Sequence, residues 1–80
     1  MMTVSVKLFA TLRRHYPELE IGEAMPVEIE EEATVRDLLR QLQLPEDQVK
    51  IVFANGIVRE ADHQLEEGDK LGIFPPVGGG

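Results

Sequence analysis

The stretch Thr34-Val35-Arg36-Asp37-Leu38-Leu39-Arg40-Gln41-Leu42-Gln43-Leu44-Pro45 decides how the chain is to be read. Val35, Leu38, Leu39 and Leu42 fall at i, i+3, i+4 and i+7, which places one apolar stripe along a helix. Thr34 precedes the stripe as an N-cap, and Asp37 three residues later stands as a shortened capping-box acid. Ala33 and Leu38 are spaced for a hydrophobic staple. Leu44-Pro45 supplies the stop, since the residue before proline avoids the helical region. A helix of two to three turns is marginal by itself, so its stripe has to be buried on a sheet.

Strands are expected on both sides. Residues 3–9 alternate, with Val4, Val6 and Leu8 on one face and Thr3, Ser5, Lys7 and Phe9 on the other. Thr11 is placed to cap a short helical turn, Leu12 to Tyr16, that Pro17 stops. Residues 17–25 are polar and irregular and read as a surface loop. Val27 and Ile29 alternate with Glu28 and Glu30 as a second strand, in a hairpin with the first. After the helix, Val49 to Ala54 reads as a third strand. Asn55-Gly56 is a two-residue hairpin turn, because both central residues of a type I′ turn take positive φ. Ile57 to Arg59 returns as a fourth strand. Glu66-Glu67-Gly68-Asp69 turns the chain, and Lys70 to Phe74 is the fifth. The order β-β-α-β-β-β predicts an α+β fold: a mixed five-stranded sheet with one main helix on one face.

Size and charge narrow the function. The chain has 80 residues, and a domain this short buries only about 60–65% of its unfolded surface. Two layers fit; a large cleft between domains does not. Eight basic against fifteen acidic residues give a formal charge of −7, which argues against nucleic acid and anionic membranes as partners. There is no cysteine, which removes disulfides, thiolate metal sites and a cysteine nucleophile. No apolar run reaches the ~18 residues of a membrane span. Met1-Met2-Thr3-Val4-Ser5-Val6-Lys7 lacks a signal-peptide layout, so a cytoplasmic location is expected. His15 and His63 lie far apart with no clustered acid, and read as surface turn residues rather than metal ligands. Glu30-Glu31-Glu32 reads as a solvated run ahead of the helix. No nucleophile–base pair and no phosphate loop is present, so any ATP has to be bound by a partner.

Alternation divides the strands between two faces. Val4, Val6, Leu8, Val27, Ile29, Val49, Ile51, Phe53, Val58, Leu71 and Ile73 are assigned to the helix side. Lys7, Phe9, Lys50, Val52, Ala54, Ile57, Arg59, Lys70, Gly72 and Phe74 are assigned to the outer side. The outer side then carries four of the eight basic residues around Phe9, Val52, Ile57 and Phe74. It is either an ordinary scatter of exposed apolar residues or a docking face with an apolar centre and a basic edge, matched to an acidic partner.

The chain ends Phe74-Pro75-Pro76-Val77-Gly78-Gly79-Gly80. Pro75-Pro76 cannot continue a central strand and favours an extended stalk. Residues 1–74 are therefore assigned to the folded domain and 75–80 to a C-terminal tail. Three glycines remove every side chain before the terminal carboxylate, so the tip could enter a channel too narrow for a Cβ. A frayed terminus has the same composition.

This ending resembles the Phe-Pro-Pro-Val-x-Gly-Gly terminus of the molybdopterin synthase small subunit family, a group of ubiquitin-like β-grasp sulfur carriers. Lys7-Leu8-Phe9-Ala10-Thr11-Leu12-Arg13 is similar to that family's first strand and turn. Ala33 to Leu39 is similar to its helix start, and Asn55-Gly56, Leu65 and Glu67-Gly68-Asp69 to its hairpin and final turn. Position 78 is glycine where the family usually carries another small residue. The resemblance implies that a ubiquitin-activating-like adenylyltransferase spends ATP with magnesium to adenylate the carboxylate of Gly80. A sulfur donor system then converts the adenylate to a thiocarboxylate, and the large subunit of molybdopterin synthase takes the tail into its active site. It implies that Gly80 bears the adenylate and then the sulfur, that Gly79 threads the channel, and that Phe74, Pro75, Pro76, Val77 and Gly78 position the tail. Phe9 and Ile57 join the docking face in this reading. No cofactor or metal is expected on the chain itself. A sulfur carrier for thiazole or another metabolite, a ubiquitin-like protein modifier and an adaptor with an inert tail stand as alternatives.

Overall fold

The capping box at Thr34 forms. In the computed structural model, which describes residues 1–76, the Asp37 backbone N–H donates to Thr34 Oγ1 at 3.3 Å and the Thr34 N–H donates to Asp37 Oδ2 at 2.9 Å. Helix α1 then runs Val35–Gln41. Two more N–H groups of its first turn are satisfied from outside: Val35 donates to the His63 carbonyl and Arg36 to the Ala61 carbonyl. The backbone and side-chain hydrogen bonds from Thr34 hold the Asp37 carboxyl below its ordinary value of 3.8. A depressed folded-state value favours the folded state above the ordinary value, and that contribution is lost as pH falls through the folded-state value. Asp37→Asn is therefore expected to lower stability at neutral pH and to flatten the acid limb of a thermal-denaturation series below about pH 4.

The helix stops earlier than the proline predicts. Leu42 is the C-cap, and Gln43 adopts a left-handed conformation at φ 60°. The Leu44 N–H reaches back to the Leu39 carbonyl and the Gln43 N–H to the Arg40 carbonyl, the two bonds of a Schellman motif. Buried Leu44 and Leu39 supply its apolar pair. A non-glycine residue at this position carries a steric cost. Gln43→Gly is expected to stabilise the protein by about 0.5–1 kcal/mol, measurable as a rise in the urea midpoint with unchanged m.

The strands are β1 (Met2–Leu8), β2 (Met25–Ile29), β3 (Ile51–Ala54), β4 (Ile57–Arg59) and β5 (Lys70–Phe74). They form one mixed sheet in the order β2-β1-β5-β3-β4. β1 and β5 run parallel in the centre, and the other neighbours are antiparallel. This is the α+β arrangement expected, with one α-helix among the described residues. Boundaries differ by one or two residues: β1 is shifted back by one, Met25 belongs to β2 rather than to the preceding loop, and β3 begins after a 3-10 turn at Glu46–Gln48. The turn after β1 spans Ala10–His15, and its N-cap is Phe9 with no side-chain bond, so Thr11 does not cap it.

Asn55 and Gly56 both take positive φ, 55° and 83°, and pair Ala54 with Ile57. The turn is also tied across the sheet. Asn55 Nδ2 donates to Asp69 Oδ1 at 2.9 Å, and the Lys70 N–H donates to Asn55 Oδ1 at 3.0 Å. Asp69 Oδ2 accepts from the Glu66 N–H, so the buried carboxylate is satisfied on both oxygens. This network fixes the start of β5 against the β3–β4 hairpin.

The register corrects the assignment of faces. β3 pairs with β5 as Val52↔Ile73 and Phe53↔Gly72, and with β4 as Val52↔Arg59 and Ala54↔Ile57. Val52 and Ala54 are buried on the helix side with Leu71 and Ile73. Ile57 and Arg59 share that side, while Ile51, Phe53 and Val58 lie on the outer side. The cause is local: Ile51-Val52-Phe53-Ala54 is apolar at every position, so period 2 carries no sign there. Val49, the first residue of the expected strand, stands outside the ladder. The core that results joins Val4, Val6, Leu8, Val27, Ile29, Val52, Ala54, Leu71 and Ile73 to the full helix stripe Val35, Leu38, Leu39 and Leu42.

Candidate functional site

The outer face of the sheet holds all three phenylalanines of the chain. Phe74 is the last residue of β5. The Phe9 ring lies parallel to it, with centroids 4.1 Å apart and 4° between the planes. Phe53 meets Phe74 edge-on at 5.5 Å and 73°. Contacts of this kind contribute about 0.5–1.5 kcal/mol each beyond area burial. The rings line a shallow groove of about 450 Å³, bordered by Lys7 and Lys70.

The basic edge is narrower than alternation alone suggests. Lys7 stands opposite Gly72 in the β1–β5 ladder and Lys70 opposite Ser5, both on the outer side. Arg59, opposite Val52, is on the helix side, and Lys50 precedes β3 and does not line the groove. Ile57 is exposed, at 54%, but it projects from the helix side with Ala54 and does not join Phe9 and Phe74. Phe53, assigned by alternation to the core, takes the place in the outer patch that Ile57 was expected to fill. The signal that identifies it is Gly72 in β5: a glycine on the outer face opposite a phenylalanine leaves room for aromatic packing across the strand.

Chain geometry directs the exit from this patch. The Lys50 N–H donates to the Phe74 carbonyl at 2.8 Å, and the Phe9 N–H donates to the Ile73 carbonyl at 3.1 Å. Pro75 is buried and Pro76 is exposed, so the chain leaves the body at Pro76. Val77, Gly78, Gly79 and Gly80, to which the family resemblance assigns positioning and chemistry, lie outside the described residues.

Among the described residues, no group of three or more His, Asp or Glu side chains is placed to hold a metal ion. His15 Nε2 is hydrogen-bonded to Gln48 Oε1, bridging two surface turns. No helix among the described residues is long and apolar enough to cross a membrane. The arrangement provides an apolar surface with two lysines at its border, placed at the root of a C-terminal segment that carries a proline pair and three glycines.

The architecture is that of the ubiquitin-like β-grasp proteins: a mixed five-stranded sheet with a single main helix on one face. Residues 6–80 match the model of the ThiS family, and the chain belongs to that family. Among solved structures it is similar to a Pyrococcus furiosus protein described as molybdopterin converting factor, subunit 1, with 28% identity and a TM-score of 0.75 over 96% of this chain and 100% of that one. It is equally similar in shape to small archaeal modifier protein 1 of Haloferax volcanii, with 25% identity and a TM-score of 0.75 over 96% and 100% of the two chains. A complex of subunits 1 and 2 of the molybdopterin-converting factor from Helicobacter pylori shares the fold at 22% identity, with a TM-score of 0.63 over 99% and 100%. No curated protein matches the chain.

Proposed function

We propose that the chain is a sulfur carrier that acts through the carboxylate of Gly80 and serves as the small subunit of a molybdopterin synthase. The observation that carries this reading is the aromatic root at Phe74, braced beside a lysine-bordered apolar groove and followed by Pro75-Pro76-Val77-Gly78-Gly79-Gly80. The family match and the 28% identical converting-factor subunit support it. A carboxylate is a poor electrophile. In the proposed reaction its oxygen attacks the α-phosphorus of ATP, pyrophosphate leaves, and an acyl-adenylate forms. Hydrosulfide delivered by the sulfur donor then adds to the carbonyl and AMP leaves, which generates the thiocarboxylate. The magnesium-bound ATP and the groups that activate it belong to an adenylyltransferase partner, and the sulfur acceptor to a large synthase subunit. The chain's own part is to dock, through Phe9, Phe53 and Phe74, on a surface whose acidic border meets Lys7 and Lys70. In this reading the chain works in the cytoplasm.

The similarity to small archaeal modifier protein 1 favours a second reading, in which Gly80 forms isopeptide bonds with lysines of other proteins. The two are separated by supplying an activating enzyme, ATP and a sulfur donor, then adding either molybdopterin precursor with a large synthase subunit or a host lysate. The carrier reading predicts sulfur-dependent formation of the dithiolene. The modifier reading predicts higher-mass conjugates that disappear when Gly80 is deleted.

A further inference from the structure

The groove on the outer face is basic, in a chain whose net charge is −7. Among the described residues its lining includes Lys7 and Lys70 and no aspartate or glutamate. Neither lysine takes part in an ion pair among those residues; the pairs that form, Met1 with Glu31 and Arg36 with Glu46, lie away from the groove. Two of the acids just before Lys70 are engaged elsewhere. The buried Asp69 carboxylate accepts from Asn55 Nδ2 and from the Glu66 N–H. Glu67 Oε1 accepts from the Thr3 N–H at 3.1 Å. The groove neighbours of the lysines are small and uncharged: Gly72 stands opposite Lys7 and Ser5 opposite Lys70, with Ala24 and Gly56 also in the lining.

The two lysines act as a pair. β1 and β5 are parallel neighbours, and their register offsets Lys7 and Lys70 by two residues on one face, about 8 Å between Cα atoms. Side chains of this length can converge on one anion, and Ser5, opposite Lys70, adds a hydroxyl donor beside them. The floor of the groove decides what carries that anion. Phe74 lies four residues along β5 from Lys70, about 13 Å away, with Phe9 and Phe53 packed against it. A free phosphate at the lysines would leave the rings uncovered, and the groove offers it neither an arginine fork nor a helix N-terminus. An extended peptide spans the same about 13 Å in four steps and turns alternate side chains to the sheet.

We infer that the groove takes an extended segment of a partner protein, with one carboxylate side chain held between Lys7 and Lys70 and apolar side chains laid on Phe9, Phe53 and Phe74. The acid of that segment sits at the end of the groove remote from Phe74, so the lysine pair sets the segment's direction. The rings supply contact area, and the lysines supply selection and approach. The inference rests on the docking step of the proposed function and adds the chemistry and orientation of what docks.

The test has two arms on the full chain. In the first, amide signals of the isotope-labelled protein are followed while acetyl-Glu-Ala-Phe-Ala-Leu-amide, its Gln-for-Glu counterpart or inorganic phosphate is added. The Glu peptide is expected to shift Ser5, Lys7, Lys70 and Gly72 with a Kd of about 1 mM or tighter. The Gln peptide on the parent chain, and the Glu peptide on Lys7→Glu/Lys70→Glu, are expected to bind about tenfold more weakly or worse. Arg59→Glu, the same charge change on the helix side, is expected to bind as the parent does. Absence of a shift with the Glu peptide, equal binding of the Glu and Gln peptides, or equally strong shifts with phosphate alone overturns the inference. In the second arm, adenylation by the adenylyltransferase of the native host is measured against carrier concentration. Lys7→Glu/Lys70→Glu is expected to raise KM about tenfold, and Arg59→Glu to leave it within about twofold. An unchanged KM in the double variant overturns the inference. If the parent chain is not adenylated at all, the proposed function fails and the peptide titration alone decides the inference.

Discussion

Removal of Gly79 and Gly80 is expected to abolish sulfur transfer and to leave the fold unchanged. The core cluster ends at Ile73, and the β5 ladder ends at Phe74. The melting temperature should therefore move by less than about 2 °C, well under 1 kcal/mol for a domain of this size. The chemistry has no such tolerance. The shortened chain presents the carboxylate of Gly78, two residues short, a loss of reach of up to about 7 Å. A misplacement of even ~1 Å can cost ~100-fold in rate, so loss of thiocarboxylate and of product should be complete within detection. Thermal denaturation together with a sulfur-transfer assay checks both halves. An adaptor with an inert tail would lose nothing.

The second large effect concerns two neighbours in β3. Val52→Asp is expected to unfold the protein, whereas Ile51→Asp is expected to change stability by less than about 1 kcal/mol. Val52 is 5% exposed and pairs with Ile73, itself fully buried; Ile51 is 37% exposed on the other side of the sheet. An unpaired carboxylate in the core costs several kcal/mol. The whole stability of a domain this small lies near the lower end of about 5–15 kcal/mol. Circular dichroism of the two variants at 25 °C decides the matter. The opposite pattern would mean that β3 faces the other way.

That pair of variants also marks the limit of what the sequence discloses. The helix was legible because its signals agree: Thr34 and Asp37 at the cap, and Val35, Leu38, Leu39 and Leu42 on one stripe. The centre of the sheet is legible because apolar and polar residues alternate in β1 and β5. Between Ile51 and Ala54 there is no alternation, and only the pairing of Phe53 with Gly72 settles the side. The consequence for the site is direct. Alternation assigns Phe9 and Phe74 to the outer face, where they are in contact; it assigns Ile57 to the same face, but Ile57 lies on the helix side; and it assigns Phe53 to the core, but Phe53 lies in the patch. The helix stop at Gln43 escaped for a different reason. A left-handed residue at a helix end is usually glycine or asparagine, and a glutamine there gives no sign in the sequence. Arg59 leaves the basic edge with the same reversal that moves Ile57, and Lys50 precedes β3 and does not line the groove, so the docking surface has two lysines at its border, Lys7 and Lys70.

The proposed function requires that Gly80 carry sulfur as a thiocarboxylate. Its most direct test is the intact mass of the protein isolated from its native host, and of the protein after incubation with an activating enzyme, ATP and a sulfur donor. A species heavier by one oxygen-to-sulfur exchange is expected, located at Gly80 by fragmentation and absent when Gly80 is deleted. A chain that retains only its carboxylate under both conditions would contradict it.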